Sequence, residues 1–485
     1  MSIDDNERSA RRLCEDRCGS DFGLLRTTIR GQLLLPGDGD YAEARRVWNA
    51  TIDRRPAAIA QCESAEDVSG SVAFAVRHDL EIAVRGGAHG TSGKAVVDDG
   101  LVIDLRRMNS VTVDPVARRA RVGGGALLTD VIAATQEHGL AMPVGLIGHT
   151  GVGGLTLGGG MGWLTRKHGL SIDNLVTAQV VTADGQLLHA SEIEHDDLYW
   201  AIRGGGGNFG VVTEFVFALH PVGPTVQVGL LFWVLDNGPD VLRMARQLCG
   251  SLPSEVNVVI GALNAPPAPF VPPEHHFKPG YALIIVGFGS PEEHQGVVSQ
   301  ARETLAPLWE FVSPMPYLDL QQMLDEDNRW GQYDYEKGGQ VAELTDEVID
   351  LITERVPLKQ SPGSVVLLYR VDGAYSRVGD DETAFGGDRS PGYYIFNVAL
   401  CPTPEVLEED REWVRGNYAA LSPHLVTRTY VNALDEDHSD LRLAFGNTKY
   451  ERLSRIKGIY DPDNRFHCNA NIEPTWQSSS AGAGA

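Results

Sequence analysis

The sequence predicts an α+β protein in which a glycine-rich domain precedes a second domain with an antiparallel sheet backed by helices. Three observations carry this prediction. Short strands alternate with a capped helix after Pro56, three glycine-rich stretches lie at 82–90, 148–163 and 203–210, and long strands with amphipathic helices follow residue 224. With 485 residues, 42% of them hydrophobic, the chain is long enough for two or three domains with large cores.

The elements predicted in the glycine-rich domain are short. Ser64 is the N-cap of a helix that runs to about Arg77, with Glu66 and Asp67 in its acidic first turn. The strand Glu81–Val84 follows and ends directly at the first glycine stretch. The other predicted elements are a short helix within 40–49, strands at 57–60, 101–105, 111–113, 175–182 and 211–219, and a helix at 127–137.

The second domain has longer predicted elements. Its strands are 227–234, 281–287, 364–371 and 393–400. Apolar residues of segment 344–356 fall on one face, which predicts a helix packed on that sheet. We also predict an exposed loop at 265–280 and a disordered low-complexity tail at 477–485.

Charge and cysteine usage exclude several classes of protein. A net charge of −24 argues against nucleic acid or an anionic membrane as the partner, because both select for basic patches. No apolar run is long enough to span a membrane, and the N-terminus does not have the pattern of a signal sequence. The six cysteines are scattered, and Cys14 and Cys18 have no partner pair at metal-ligand spacing, so we expect no metal and a reduced, cytoplasmic setting.

The glycine stretches are the main chemical signal. Glycine lets bare backbone N–H groups close on an anionic ligand, although each stretch alone is equally consistent with a tight turn. A phosphate-binding P-loop is excluded because no Gly-Lys-Ser/Thr ends any stretch, and the dinucleotide fingerprint is excluded because the second stretch follows a loop rather than a strand. Three stretches together predict one large, phosphate-bearing cofactor held between subdomains.

Four ordered motifs make the resemblance specific. They are Val84–His89 (VRGGAH), Gly151–Leu164 (GVGGLTLGGGMGWL), Tyr199–Val212 (YWAIRGGGGNFGVV) and Tyr460–Phe466 (YDPDNRF). In these motifs the chain resembles the FAD-linked oxidases of the vanillyl-alcohol oxidase superfamily, in its berberine-bridge-enzyme-like branch. The resemblance covers roughly residues 30–475 and implies a PCMH-type FAD-binding domain of two subdomains. The implied organisation is a cap segment at 1–53, the FAD domain at 54–223, a substrate domain at 224–425 and a segment at 426–476 that returns to the FAD domain.

The resemblance implies a cofactor site with FAD bonded to the ring of His89. An imidazole is a natural nucleophile for such a bond, and the alternative for His89 is an ordinary loop histidine. Relatives with a second bond carry a cysteine where this chain has Ile147, so a single bond is expected, and the small Thr150 favours access of O2 to the flavin. The residues implied to contact FAD are Arg85, Gly86, Gly87, Ala88, His89, Gly90, Thr91, Ser92, Gly148, His149, Thr150, Gly151, Gly153, Gly154, Gly158, Gly159, Gly160, Gly162, Asn208, Gly210, Val211, Val212, Asn469 and Asn471.

The implied catalytic residues are Tyr430, Asn432 and Asp388. The family's Tyr-x-Asn-Tyr is Tyr430–Ala433 here, so its last tyrosine is missing, and Asp388 stands in a segment where relatives carry a His-Arg pair. The proton acceptor is expected to be Tyr430 or an acid such as Asp388. Tyr333, Tyr335 and Lys337 either line the substrate pocket or are ordinary structural residues.

The implied function is oxidation of an alcohol- or amine-bearing carbon of a small molecule such as a sugar, an aromatic alcohol or a secondary metabolite. Hydride passes to FAD, and O2 reoxidises the flavin to give H2O2. Two alternatives remain: a flavin-dependent dehydrogenase or oxidative cyclase with another acceptor, and a flavin-binding protein without turnover. The sequence does not identify the substrate or the oligomeric state.

Overall fold

The computed structural model describes residues 21–434 and 441–475. Cys14, Cys18 and the tail at 477–485 lie outside the described residues. No helix in the described part of the chain is long and apolar enough to cross a membrane.

The glycine-rich domain contains two main sheets. The strands are β1 Gln32–Leu34, β2 Ala58–Gln61, β3 Ile82–Arg85, β4 Leu101–Asp104, β5 Val111–Asp114, β6 Arg119–Gly123, β7 Leu140–Ala141, β8 Leu175–Val181, β9 Leu187–Ser191, β10 Val211–Ala218 and β11 His220–Pro221. The first sheet has the order β1-β2-β4-β3, with β4 parallel to both β2 and β3. The second is antiparallel, in the order β5-β6-β10-β8-β9, and β7 pairs separately with β11. The first glycine stretch therefore leaves the end of β3, and the third leads into β10.

Seven α-helices accompany these sheets in the described part of the chain. They are α1 Asp21–Thr28, α2 Tyr41–Ala44, α3 Ala65–Arg77, α4 Leu128–Gln136, α5 Val152–Gly158, α6 Thr165–His168 and α7 Asp196–Ile202. The Ser64 hydroxyl accepts a hydrogen bond from Asp67 N at 3.3 Å, as expected of an N-cap. Val68 and Val72 of α3 are fully buried in the core of the first sheet.

The second domain is built on a seven-stranded antiparallel sheet. Its strands are β12 Thr225–Val234, β13 Val256–Asn264, β14 Pro279–Gly287, β15 Trp309–Pro316, β16 Tyr333–Val341, β17 Val365–Val371 and β18 Gly392–Cys401. Their order is β15-β12-β14-β13-β17-β18-β16, so β16 is an edge strand.

The two faces of this sheet meet different partners. The helices of the domain are α8 Gly238–Cys249, α9 Pro291–Thr304, α10 Tyr317–Gln322, α11 Asp346–Arg355, α12 Ala374–Arg377 and α13 Pro404–Leu421. In β12, Leu231 and Trp233 point into the core shared with α8 and α11, whereas Leu230 and Phe232 point into the core shared with the glycine-rich domain. The chain then returns through α14 Leu441–Phe445 and α15 Asn447–Tyr460, which packs against α7. The predicted fold class, with its helix-backed antiparallel sheet, is confirmed.

Two predictions about elements need correction. The helix expected within 40–49 is only α2, because Trp48 N donates to Ala88 O at 3.0 Å and this long-range contact replaces the helical bond. The strands β13, β15 and β16 were not predicted from the sequence. The exposed loop expected at 265–280 ends at residue 278, before β14, and is only partly exposed, because Ala265 and Val271 are buried in the core and Pro273–His275 form a 3-10 turn.

Candidate active site

The first two glycine stretches touch through their backbones. A Cβ on Gly87 would lie 2.3 Å from Gly151 N, and one on Gly151 would lie 2.2 Å from Gly87 N. Both distances are far inside van der Waals contact, so neither position admits a side chain unless the backbone moves. Ala88 has a positive φ of 52°, which turns the chain sharply before His89. The two loops thus form one close-packed glycine junction beside His89.

We expect Gly151→Ala to destabilise the protein by about 3 kcal/mol and to reduce the flavin that copurifies with it, because the added methyl forces the two backbones apart. Gly70→Ala is the matched control, since a Cβ on Gly70 in α3 meets nothing within 4 Å. Urea unfolding and the flavin-to-protein absorbance ratio measure both effects. A Gly151→Ala variant with wild-type stability and flavin content would show that close packing at the glycine junction is needed neither for stability nor for flavin binding.

His89 lies between two other rings. It stacks on Trp48 with centroids 4.4 Å apart and is tilted against His149 at 4.9 Å. Its Nε2 is buried and has no hydrogen-bond partner among the described residues, and both ring nitrogens of His149 are in the same state. Burial, and secondarily His149, lowers the pKa of His89 to about 3. At neutral pH the His89 ring is therefore uncharged.

Arg85 supplies a buried cation at the end of β3. The residue is 1% exposed, and its Nε and Nη1 have no partner in the described part of the chain. Burial, and secondarily Arg106, lowers the pKa of Arg85 to about 10, so it remains protonated at neutral pH. Unpaired guanidinium donors favour an anionic ligand such as a phosphate.

The third glycine stretch is held by the C-terminal segment. The Asn208 amide donates to Gly205 O at 2.8 Å and Ala470 O at 2.9 Å, and its oxygen accepts from Ile472 N at 2.9 Å. Asn208 thus joins the two segments. The side-chain oxygens of Asn469 and Asn471 are buried without partners among the residues described. These two oxygens are free to receive hydrogen bonds from a ligand.

Tyr430 and Asn432 pack on the end of α5. The Tyr430 hydroxyl accepts from Gly160 N at 3.1 Å and from Asn432 Nδ2 at 2.9 Å. A Cβ on Gly158 would lie 2.1 Å from Asn432 Oδ1, and one on Gly159 would lie 2.9 Å from the Tyr430 ring. Burial raises the pKa of Tyr430 to about 12, so its phenol stays protonated at neutral pH.

Asp388 has different neighbours from the other two predicted catalytic residues. Its Oδ1 accepts from Ser390 N at 2.7 Å, and its Oδ2 lies 3.7 Å from Arg428 Nη2. Within the described ranges, no hydrogen bond or ion pair joins Asp388 to Tyr430 or Asn432.

The other predicted cofactor-binding residues lie on the same loops or on α5 and β10, which these loops enter. Gly148 N donates to Asp325 Oδ1 at 2.6 Å, which ties the second stretch to the second domain, and Val211 and Val212 begin β10. The residues in this group are Gly86, Gly90, Thr91, Ser92, Gly148, Thr150, Gly153, Gly154, Gly162, Gly210, Val211 and Val212.

The edge strand β16 carries two acidic residues that sequence reasoning missed. Tyr335 joins the core on the helix side of the sheet, and Lys337 Nζ lies 5.1 Å from the Tyr418 ring centroid on α13. Successive side chains alternate across a strand, so Asp334 and Glu336 belong to the opposite face. Asp334 is 3% exposed, and neither of its carboxylate oxygens has a partner among the described residues. An acidic residue on each side of the aromatic Tyr335 is the signal that could have identified them.

Both carboxyl groups resist ionisation. Burial, then the charge of Glu336, raises the pKa of Asp334 well above its usual range. Burial likewise raises the pKa of Glu336 to about 7, and only a hydrogen bond with Thr91 opposes this. The Glu336 carboxyl therefore becomes charged only around neutral pH, where its buried charge is unfavourable.

We expect the free energy of unfolding to fall as pH rises from about 4.5 to about 7 and beyond, because a raised carboxyl pKa favours the folded protonated form below it. Glu336→Gln removes one of these ionisations and should make the protein more stable than wild type by about 2 kcal/mol at pH 8, but not at pH 5. Urea unfolding at both pH values measures the difference. Glu326→Gln is the control, because Glu326 is 88% exposed. A Glu336→Gln variant less stable than wild type at pH 8 would contradict this prediction.

The comparisons with known proteins now define the class. The chain matches the family "FAD binding domain" over residues 56–191 and "Berberine and berberine like" over residues 429–473. It belongs to the FAD-linked oxidoreductases of the vanillyl-alcohol oxidase superfamily, in the berberine-bridge-enzyme-like branch, and is an FAD-dependent oxidoreductase. No His, Cys, Asp and Glu cluster suited to a metal ion occurs among the residues that the structure describes.

Individual relatives span nearly the whole chain. The chain is 30% identical over 467 residues to (R)-6-hydroxynicotine oxidase of Paenarthrobacter nicotinovorans. The alignment covers 92% of this chain and 97% of that protein. An FAD-linked oxidoreductase of Dictyostelium discoideum is 28% identical over 451 residues, with 92% and 95% covered. The crystal structure of 6-hydroxy-D-nicotine oxidase from Arthrobacter nicotinovorans superposes with a TM-score of 0.82 at 26% identity, covering 92% of this chain and 98% of the other.

The residues of the site fit FAD. The Arg85 donors, which have no partners among the described residues, suit the diphosphate, and the glycine junction brings two loop backbones together beside them. Buried asparagine oxygens at 469 and 471 add acceptors.

Proposed function

We propose that this protein is an oxidase that removes a hydride from an alcohol- or amine-bearing carbon of a small organic substrate, and that its FAD is bonded covalently to His89. The observation that carries this proposal is the buried, unpaired Nε2 of an uncharged His89 ring beside the glycine junction. An uncharged imidazole nitrogen with a free lone pair is able to form a bond to carbon.

The chain's own residues position and protect the reaction. When bound, FAD would supply the hydride acceptor and the O2-dependent turnover that gives H2O2. Arg85 and the backbone N–H groups of the first two stretches hold the negative charge of the diphosphate. Tyr430, which stays protonated, orients the substrate through its hydroxyl, and Asn432 fixes that hydroxyl. Asp388 acts as the proton acceptor only if the loop that holds it moves toward Tyr430.

Ile147 and Thr150, where the second glycine stretch begins, support two further parts of the proposal, which are a single covalent bond to FAD and O2 as the electron acceptor. Ile147 cannot form a second bond to the flavin, so we propose a single covalent bond. The small side chain of Thr150 leaves room for O2, which favours an oxidase over a dehydrogenase or oxidative cyclase with another acceptor. The relative from Paenarthrobacter nicotinovorans is named a hydroxynicotine oxidase, which supports including amines among the substrates tested.

Anaerobic mixing with a panel of amines, alcohols and oligosaccharides tests the function. An oxidase substrate bleaches the flavin absorbance, and admission of air restores the colour with stoichiometric H2O2 in a peroxidase-coupled assay. Bleaching that persists in air but is reversed by an artificial dye would favour a dehydrogenase. Purified protein without flavin would overturn the proposal.

A further inference from the structure

A cavity lies where the edge strand β16 meets the loop that follows His89. Its volume is about 160 Å³, many times the roughly 10–15 Å³ that one water molecule needs on this measure. Its lining residues include Asn49, Thr91, Asp334, Tyr335, Glu336 and Arg411. The cavity thus joins the predicted cofactor loop to the second domain.

Two carboxyl groups without a counterion face this cavity. Asp334 is only 3% exposed, and neither of its carboxylate oxygens has a hydrogen-bond partner within the described residues. Glu336 is half-buried and forms a hydrogen bond with Thr91. Burying acidic groups without a positive charge nearby is unfavourable, and proteins tolerate it where a ligand completes the site.

The groups around the pair do not neutralise it. The Arg411 guanidinium lies over the Tyr335 ring, 4.8 Å from its centroid, and no ion pair links it to either carboxylate in the described part of the structure. Burial, with a smaller contribution from Glu336, raises the pKa values of Tyr369 on β17 and of Tyr430. Burial, with smaller contributions that include Asp334, raises the pKa of Cys401 on β18. These phenols and this thiol are neutral at pH 7, and the Arg411 charge lies over the Tyr335 ring, so no ion pair neutralises the two carboxyl groups within the described residues.

We propose that this cavity is a subsite for the protonated amino group of the substrate, held by Asp334 and Glu336. The proposal rests on the proposed oxidase function and narrows its substrate class from alcohols or amines to compounds that carry an ammonium group. An ammonium supplies several N–H donors and the missing positive charge, which a neutral hydroxyl does not. Thr91, which lines the same cavity, is two residues from His89, so the amino group would lie beside the cofactor loop.

Binding of benzylamine and its neutral isostere benzyl alcohol tests the subsite. Isothermal titration is run anaerobically on the flavin-loaded full chain, with wild type, Asp334→Asn, Glu336→Gln and the surface control Glu326→Gln. We expect wild type and control to bind benzylamine at least about tenfold more tightly than benzyl alcohol. Each of the two cavity variants should lose most of this preference without losing flavin.

The pH dependence provides a second readout. Cation binding favours the ionised carboxylates, so benzylamine affinity should rise from pH 6 to pH 8, with protons released to the buffer. Equal affinity for the two compounds, a preference that survives in both variants, or affinity that falls over this range would overturn the proposal. If flavin is present and a substrate bleaches it while amines show no preference, only the subsite fails. If flavin is absent, the proposed function fails.

Discussion

His89→Ala should leave the acid-precipitated protein without flavin, whereas the wild-type pellet stays yellow. Acid unfolds the chain and releases any flavin held by non-covalent contacts alone. Only a covalent bond survives, and we propose His89 Nε2, buried and without a partner among the described residues, as its atom. Because burial keeps the pKa of His89 near 3, the ring is neutral when the bond forms. The flavin absorbance of the redissolved pellet measures the effect, from about one flavin per chain to none.

His149 provides the sharpest comparison, because both of its ring nitrogens are also unpaired and its ring lies 4.9 Å from that of His89. We expect His149→Ala to keep the bound flavin and the exposed-loop control His138→Ala to behave as wild type. A yellow pellet from His89→Ala, or a colourless one from His149→Ala alone, would assign the bond to another residue. The mass of the peptide that contains residue 89 then identifies the bonded residue directly.

The glycine pattern carried most of what the sequence could predict about the cofactor loops. Glycine spacing indicated that the loops serve one ligand, and the structure shows Gly87 and Gly151 in backbone contact. Sequence spacing alone does not give such a contact, because the two residues are brought together by the packing of two separate sheets. The orphaned atoms of Arg85 likewise emerge only when the side chain is seen to be buried.

The edge strand β16 shows why the second half of the site was harder to predict. Its sequence, YDYEKGGQV, mixes charged residues and glycines that are uncommon in strands, so local propensity argued against it. Pairing with β18 over the whole strand overrides that preference. Tyr335 and Lys337 were singled out as possible pocket residues, and Tyr335 lines the cavity beside Thr91 although it also packs into the core of the helix layer. Lys337 lies over the Tyr418 ring on α13. The acidic residues Asp334 and Glu336 were missed, and a strand assignment with its period of two would have placed them together on one face.

Lys457→Met should destabilise the protein by about 3–5 kcal/mol, because it breaks a fully buried ion pair that organises the C-terminal segment. Lys457 and Asp461 are both 0% exposed and lie 2.6 Å apart on consecutive turns at the end of α15. Lys457 Nζ also donates to Asn208 O at 2.7 Å and Phe466 O at 2.9 Å. Removing the ammonium therefore leaves a buried carboxylate and two carbonyls without their cation, although burial already lowers the pKa of Lys457.

Urea unfolding at pH 7 measures the loss, and Lys278→Met, at an exposed lysine, should change stability by less than about 0.5 kcal/mol. The double variant Lys457→Met with Asp461→Asn separates charge from packing. Since it removes the stranded carboxylate, it should recover part of the stability lost in the single variant. A double variant less stable than Lys457→Met would instead show that the hydrogen bonds from Arg465 N and Phe466 N to Asp461 dominate. Whichever result the double variant gives, Lys457→Met should lower flavin retention. Lys457 donates a hydrogen bond to the carbonyl of Asn208, the residue that joins the third glycine stretch to the C-terminal segment.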